Sequence, residues 1–202
     1  MYFILNNYMA IKKETILKVV FYNFFLIKIN NSFIMMVGDK MRRVDKNNYY
    51  LDMAEATLER ATCLRRIWGA VIVKNDEIIS TGYNGAPRLR KNCTDLGYCI
   101  RESLNIPRGE RYEMCRSVHA EQNAIISASR RDMIGATLYM VGKDAKTGKY
   151  VENSMPCSMC KRVIINSGIK NIIIRDSKLK YRVVEVSDLV VNDESLEGIR
   201  GY

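Results

Sequence analysis

The chain has 202 residues, enough for one domain with a buried core, and 48% of them are hydrophobic, which is ordinary for a globular protein. Its formal net charge of +10 suits polyanionic partners or phosphorylated small ligands. The basic pairs Arg65-Arg66, Arg130-Arg131 and Lys178 with Lys180 lie far apart in the sequence, and aromatic residues do not alternate with them. We interpret these pairs as solvated surface, which argues against a nucleic-acid-binding stripe.

Residues 1 to 40 differ from the rest in being rich in Asn, Lys, Ile, Phe and Tyr. Their apolar run, residues 19 to 27, is shorter than the roughly 20 residues that a membrane-spanning helix needs. No small-residue cleavage site follows the run, so a signal peptide is not predicted either. We interpret residues 1 to 40 as a dispensable N-terminal extension. With six cysteines and no export signal, we expect a protein of the reducing cytoplasm, without a membrane anchor.

Hydrophobic periodicity predicts the secondary structure in chain order. An amphipathic helix is expected over residues 48 to 66, and two β-rich runs, 69–73 and 78–82, are expected to form a hairpin. After an irregular stretch, 83–116, the remaining predicted elements are a helix from 119 through 128, a strand at 136–141, a helix at 157–167, and strands at 171–175 and 183–186. This order predicts an α/β fold: a three-layer α/β/α arrangement with a mixed, roughly five-stranded sheet.

The only histidine of the chain begins the run His119-Ala120-Glu121, and Cys157 and Cys160 follow in a Pro-Cys-x-x-Cys run. A catalytic zinc takes three nitrogen or sulfur ligands and keeps a fourth position for water, whose pKa it lowers. Cys157 and Cys160 are three residues apart, so both sulfurs face the same way on a helical turn. The combined pattern is typical of zinc-dependent base deaminases. We therefore predict His119, Cys157 and Cys160 as zinc ligands.

Glu121 is predicted to move protons rather than to bind the metal, as the glutamate of this pattern does. Each half of the pattern has an ordinary alternative. A lone histidine is commonly a structural polar residue, and a lone Cys-x-x-Cys can be a redox pair or half of a structural zinc knuckle. Both halves in this order, each leading into a predicted helix, favour the catalytic zinc.

Residues 60 to 175 resemble the cytidine and deoxycytidylate deaminase family, nearest its deoxycytidylate (dCMP) branch. Besides the two zinc runs, the similar segments are Cys63-Leu64-Arg65-Arg66, Gly69 to Lys74, and Ile79 to Pro87 with its Gly-Tyr-Asn-Gly-x-Pro motif. The resemblance implies a zinc-dependent deaminase domain in residues 41–202 that hydrolyses dCMP to dUMP and ammonia. It also implies that Asn84 contacts the substrate sugar and that the Ala120 backbone amide meets the base carbonyl.

The resemblance further implies a homo-oligomer, in many relatives a hexamer, which dCTP activates and dTTP inhibits. The chain departs from the family in two places. The connection from residue 142 to 155 is longer than usual and must pass beside the pocket, which bears on substrate choice. In place of the usual Ser-Asp-x-Tyr segment after the fourth strand stand residues 176–181, where Lys178 and Tyr181 are candidate phosphate contacts.

Four cysteines remain outside the catalytic motif: Cys63, Cys93, Cys99 and Cys115. Four thiolates suffice for a closed structural zinc site, and some dCMP deaminases carry a second zinc at matching positions. The alternative is that these cysteines are small buried hydrophobic residues in a reduced protein. We therefore expect a second, structural zinc, because the long irregular segment 83–116 needs an additional constraint to hold it in place.

Two other functions remain open at the level of sequence. One is a deaminase of another cytosine nucleotide or of a nucleic-acid base such as a tRNA adenosine, which would have to be flipped into the pocket. The other is a noncatalytic nucleotide-binding subunit that keeps zinc for structure, against which the retained Glu121 argues.

Overall fold

The computed structural model of the chain describes residues 43–107 and 109–192. The strands are β1 (Arg66–Lys74), β2 (Glu77–Tyr83), β3 (Thr137–Asp144), β4 (Asn171–Arg175) and β5 (Tyr181–Glu185). The α-helices are α1 (Lys46–Leu58), α2 (Cys93–Leu96), α3 (Ile100–Ser103), α4 (Ala120–Ile126), α5 (Arg130–Met133), α6 (Ser158–Ser167) and α7 (Val186–Val191), with a 3-10 turn at Tyr112–Met114. The predicted extension, residues 1 to 40, lies outside the described residues, and the division at residue 41 stays a prediction.

The five strands form one mixed sheet in the order β2-β1-β3-β4-β5. Strand β1 is antiparallel to both of its neighbours, β3 is parallel to β4, and β5 returns antiparallel to β4. The β1–β2 hairpin turns at Asn75 and Asp76, whose positive φ angles of 51° and 70° suit a two-residue turn. The one parallel pair is joined through helix α6, as a parallel connection requires.

The sheet buries a different set of residues on each face. On one face α1 packs against alternate strand residues such as Val71 and Val141. On the other face α4 and α6 pack against their neighbours, including Ile72 and Met140. This alternation confirms the predicted three-layer α/β/α fold. Within the described ranges, no helix has the length and apolarity needed to cross a membrane.

Tertiary contacts shift several predicted boundaries. Helix α1 ends at Leu58 rather than at residue 66, because the chain then turns so that the Thr62 N–H bonds the Asn84 carbonyl at 3.1 Å. Strand β3 runs to Asp144 rather than to residue 141, because its partner β1 pairs along its whole length. Strand β5 begins at Tyr181, and Val186, predicted as its last residue, begins α7 instead.

Candidate active site

The three predicted zinc ligands meet where helices α4 and α6 begin. His119 directly precedes α4, Cys157 directly precedes α6, and Cys160 lies in the first turn of α6. The His119 Nδ1 atom lies 3.4 Å from the Sγ atoms of both Cys157 and Cys160. Ligands about 2.0–2.3 Å from one tetrahedral zinc lie roughly 3.6 Å apart. The donor set and its spacing therefore fit one zinc ion, with a fourth position left for water.

Backbone contacts fix the position of His119. The Gln122 side chain accepts a hydrogen bond from the His119 N–H at 3.2 Å, which caps α4. The preceding residue, Val118, exchanges two backbone hydrogen bonds with Gly85, at 2.8 and 3.2 Å. Strand residue Gly82 lies so close to α4 that any Cβ atom there would collide with the helix backbone. The Gly-Tyr-Asn-Gly loop and the metal-binding helix thus form one packed unit.

The ligand side chains lie close enough to shift one another's pKa values. Cys160 donates a hydrogen bond to the Cys157 sulfur, and this bond, together with the nearby His119, lowers the pKa of Cys157 to about 4 despite burial. The same bond and burial raise the pKa of Cys160. Burial lowers the pKa of His119, but hydrogen bonds to Cys115 and Cys157 outweigh it and raise that pKa to about 11. A divalent cation would displace the remaining protons from this set.

Glu121 is 5% exposed and lies in the first turn of α4, two residues after the metal ligand. Burial raises the pKa of its carboxyl, against the opposing charge of His119. A carboxyl group with a raised pKa in a cavity can both accept and return a proton, as general acid–base catalysis requires. The role of Glu121 in proton transfer stays a prediction, which its burial beside the metal ligands supports.

A cavity of about 260 Å³ opens beside the metal ligands and Glu121. Asn84 and Ala120, the two predicted substrate contacts, both line it. The Asn84 side chain is tied to strand β1, where its Oδ1 accepts from the Trp68 N–H at 2.8 Å and its Nδ2 donates to the Arg66 carbonyl at 2.9 Å. Ala120 is the first residue of α4, so its N–H has no acceptor within the helix. Both residues can still offer a hydrogen bond to a ligand.

The cavity also contains residues that sequence reasoning missed. Arg65 and Arg66, interpreted above as solvated surface, are half-buried and line it, as does the buried Arg101. The Arg101 guanidinium lies 4.5 Å from the centre of the Tyr112 ring, and this ring packs edge-on against His119 at 5.3 Å. The surface interpretation of the Arg65-Arg66 pair was wrong, because basic pairs carry no signal that distinguishes a cavity wall from open surface.

The connection from residue 142 to 155 was predicted to pass beside the pocket, and this prediction is confirmed. Asn153, Ser154 and Met155 line the cavity. The candidate phosphate contacts lie elsewhere. Lys178 pairs with Asp52 of α1 at 3.0 Å, and the Tyr181 hydroxyl accepts from Asn47 of α1 at 3.1 Å. Neither residue lines the cavity, because α1 covers the opposite face of the sheet from α4 and α6.

The four remaining cysteines lie in or near the segment from 92 to 116. Cys63, Cys99 and Cys115 line the cavity, and Cys93 is buried. Burial raises the pKa of Cys93, and the nearby Cys63 raises it further. Among the described residues, only His119, Cys157 and Cys160 place three ligand atoms within 4.8 Å of one another. The second zinc therefore stays a prediction.

Comparison with known proteins places this geometry in context. A family model described as the cytidine and deoxycytidylate deaminase zinc-binding region matches residues 44–175. The chain is 36% identical over 138 residues to the deoxycytidylate deaminase of Mycobacterium phage D29, which covers 66% of this chain and 96% of the phage protein. It is 32% identical over 158 residues to the deoxycytidylate deaminase of Saccharomyces cerevisiae, which covers 77% of this chain and 45% of the yeast protein. The chain thus spans about half the length of that relative.

Among solved structures, the chain is similar to the dCMP deaminase from cyanophage S-TIM5, whose structure was determined in complex with dCMP and dUMP. The two are 23% identical, with a TM-score of 0.44, and the similarity covers 67% of this chain and 85% of the phage chain.

Proposed function

We propose, since this chain belongs to the cytidine and deoxycytidylate deaminase family, that it hydrolyses dCMP to dUMP and ammonia. One observation carries the proposal: His119, Cys157 and Cys160 are spaced to hold one metal ion beside the buried Glu121, at the wall of a single cavity. The phage relative, which this chain covers almost completely, carries the name of that activity.

The side chains around the metal position divide the chemistry between them. Zinc, when bound by the three ligands, supplies the Lewis acidity that lowers the pKa of a water molecule. Glu121 would accept a proton from the attacking water and pass it to N3 of the cytosine ring, and would then help to protonate the departing 4-amino group. The oxygen of water becomes the 4-carbonyl group, and the amine leaves as ammonia. We expect the Ala120 N–H, which has no acceptor within its helix, to bind the base carbonyl.

Positive charge in the cavity supports a nucleotide rather than a nucleoside as the substrate. Arg65, Arg66 and Arg101 line the cavity, whereas Glu121 is the only acidic residue that does so among the described residues. Asn84, the proposed sugar contact, donates its amide hydrogen to the Arg66 carbonyl. We expect a sugar bound at Asn84 to direct its 5′-phosphate toward Arg65 and Arg66, because all three residues line the same cavity and guanidinium groups bind phosphate well.

Assembly, regulation and location complete the proposal. From the resemblance to the family, we infer a homohexamer that dCTP activates and dTTP inhibits. A cytoplasmic location agrees with the state of the cysteines, because all six are free thiols rather than disulfides.

The test is a substrate panel on the full zinc-loaded chain. Cytidine, deoxycytidine, CMP, dCMP and dCTP are incubated separately, with and without dCTP as effector, and ammonia and product identity are measured. We expect the highest kcat/KM with dCMP. A preference for another cytosine nucleotide would replace the substrate but keep the reaction. If zinc-loaded protein deaminated none of the five compounds, the proposal would be contradicted, and nucleic-acid bases would be tested next.

A further inference from the structure

Residues 153–155 form one wall of the cavity, and they end two positions before the zinc ligand Cys157. This segment has no strand or helix to hold it, and Asn153 adopts a positive φ of 51°. The Ser154 hydroxyl is buried and has no hydrogen-bond partner in the part of the chain that the structure describes. Buried hydroxyl groups are normally bonded, so this wall offers a polar group that a ligand could satisfy.

Two residues outside the cavity hold this wall in place. Asp176, just after β4, accepts a hydrogen bond from the Asn153 N–H at 2.8 Å. Arg182, in β5, donates from Nη2 to the Ser154 carbonyl at 2.7 Å, and its Nη1 lies 3.8 Å from the Met155 sulfur. Each of the three wall residues therefore contacts Asp176 or Arg182.

Asp176 and Arg182 also bind each other in a two-point ion pair. Arg182 donates from Nε to one carboxylate oxygen at 2.6 Å and from Nη2 to the other at 3.0 Å. Burial raises the pKa of Asp176, but Arg182 and the Asn153 N–H outweigh it and lower that pKa. Because a guanidinium fork meeting a carboxylate has a defined geometry, the pair forms a rigid support rather than a loose contact.

We propose that the Asp176–Arg182 pair positions the 153–155 wall for substrate, so that the β4–β5 hairpin controls substrate affinity without touching the ligand. Neither residue of the pair lines the cavity, so both act through the wall. The inference rests on the proposed deaminase function. In this proposal, Asp176 and Arg182 of the β4–β5 hairpin support the end of the long 142–155 connection.

The test compares Arg182→Ala, Arg182→Lys and Asp176→Asn with the matched control Arg130→Ala. Arg130 also donates to a backbone carbonyl, that of Asn166 at 2.9 Å, but it lies outside the cavity. Zinc content, melting temperature, kcat and KM for dCMP are measured for each variant. We expect Arg182→Ala to raise KM about tenfold or more, since small misplacements at a binding site are costly. Arg182→Lys should recover part of the loss, and Arg130→Ala should leave KM unchanged.

Two outcomes separate this inference from the proposed function. If wild-type protein deaminates dCMP and both Arg182→Ala and Asp176→Asn keep its KM, the positioning role is refuted. If zinc-loaded wild-type protein deaminates no cytosine nucleotide, the proposed function fails instead. If Arg182→Ala does not fold, the KM of Asp176→Asn tests the positioning role by itself, because this change keeps the side-chain shape and removes the charge that fixes Arg182.

Discussion

Glu121 is the residue whose chemistry can be isolated most cleanly, because it lies beside the metal ligands without being one of them. We expect Glu121→Gln to lower kcat by about 10³-fold or more, since general acid–base catalysis contributes on the order of 10²–10⁴-fold. Zinc content should stay at the wild-type value, measured by metal analysis of the same samples. The control is Glu59→Gln, a change at an exposed glutamate. Full activity in Glu121→Gln would contradict the proton-transfer role.

Arg66 tests whether the cavity recognises a phosphate. Replacing it by Ala should raise KM for dCMP by about tenfold, because a hydrogen bond to a charged group is worth roughly 1.5–3 kcal/mol. The kcat/KM for deoxycytidine, which has no phosphate, should change little. Arg131→Ala, at an exposed arginine in α5, serves as the control. An equal loss with both substrates would show that Arg66 supports the fold or the base site instead.

At the scale of elements, the described part of the segment from 92 to 116 contains no element longer than the four-residue helices α2 and α3. The predicted structural zinc at Cys63, Cys93, Cys99 and Cys115 would supply the missing support, because metal binding and folding are coupled. Metal analysis should find two zinc ions per wild-type chain and one in Cys93→Ser. Hydrogen exchange should then accelerate between residues 92 and 116. One zinc per wild-type chain would reject the second site.

The elements also differ in how far the sequence could predict them. Helix α6 was predicted closely because its signals are local: Cys157 precedes it, and Gly168, in a left-handed conformation with φ of 82°, ends it. Helix α1 was predicted too long, because the chain after it turns to form the hydrogen bond between Thr62 and Asn84. These two residues are far apart in the sequence. Local signals can be read from a single chain, whereas contacts between distant segments cannot.

On the face of the sheet opposite the cavity, an ion network around the buried Arg175 joins α1 to the strands. Arg175 is fully buried, and its Nη1 contacts Asp52 at 2.7 Å and Glu55 at 2.6 Å. Lys143 of β3 also pairs with Glu55, at 2.7 Å. Burial raises the pKa of Glu55, but hydrogen bonds from Lys143, Tyr150 and Arg175 outweigh it and lower that pKa to about 2. Glu55 therefore contributes to stability as the charged carboxylate.

This network predicts a pH-dependent stability difference. A carboxyl whose pKa is depressed on folding stabilises the protein above its unfolded pKa, here 4.5, and loses that contribution as the pH falls towards about 2. We expect Glu55→Gln to lower the free energy of unfolding by about 2–3 kcal/mol at pH 7, since each pKa unit corresponds to about 1.4 kcal/mol. Urea unfolding of both proteins should show this deficit shrinking below pH 4.5.

The control for the network is Glu77→Gln, at an exposed glutamate of β2, which should change stability little at any pH. A deficit of Glu55→Gln that stays the same at pH 7 and pH 3 would contradict the assigned role. Release of zinc at low pH affects wild type and variants alike, so the comparison uses differences between them.

The fold class, the candidate zinc ligands and Glu121 could all be predicted from the sequence, because these predictions depend on periodicity and on short motifs whose spacing is set within one or two helical turns. The three-dimensional structure was needed to show that Arg65 and Arg66 line the cavity and that Lys178 and Tyr181 do not. It was also needed to show that Asp176 and Arg182 contact the wall at residues 153–155. These placements depend on which face of the sheet each segment meets and on bonds between side chains far apart in the chain. Neither the face of the sheet that a segment meets nor a bond between distant side chains can be predicted from a local sequence pattern.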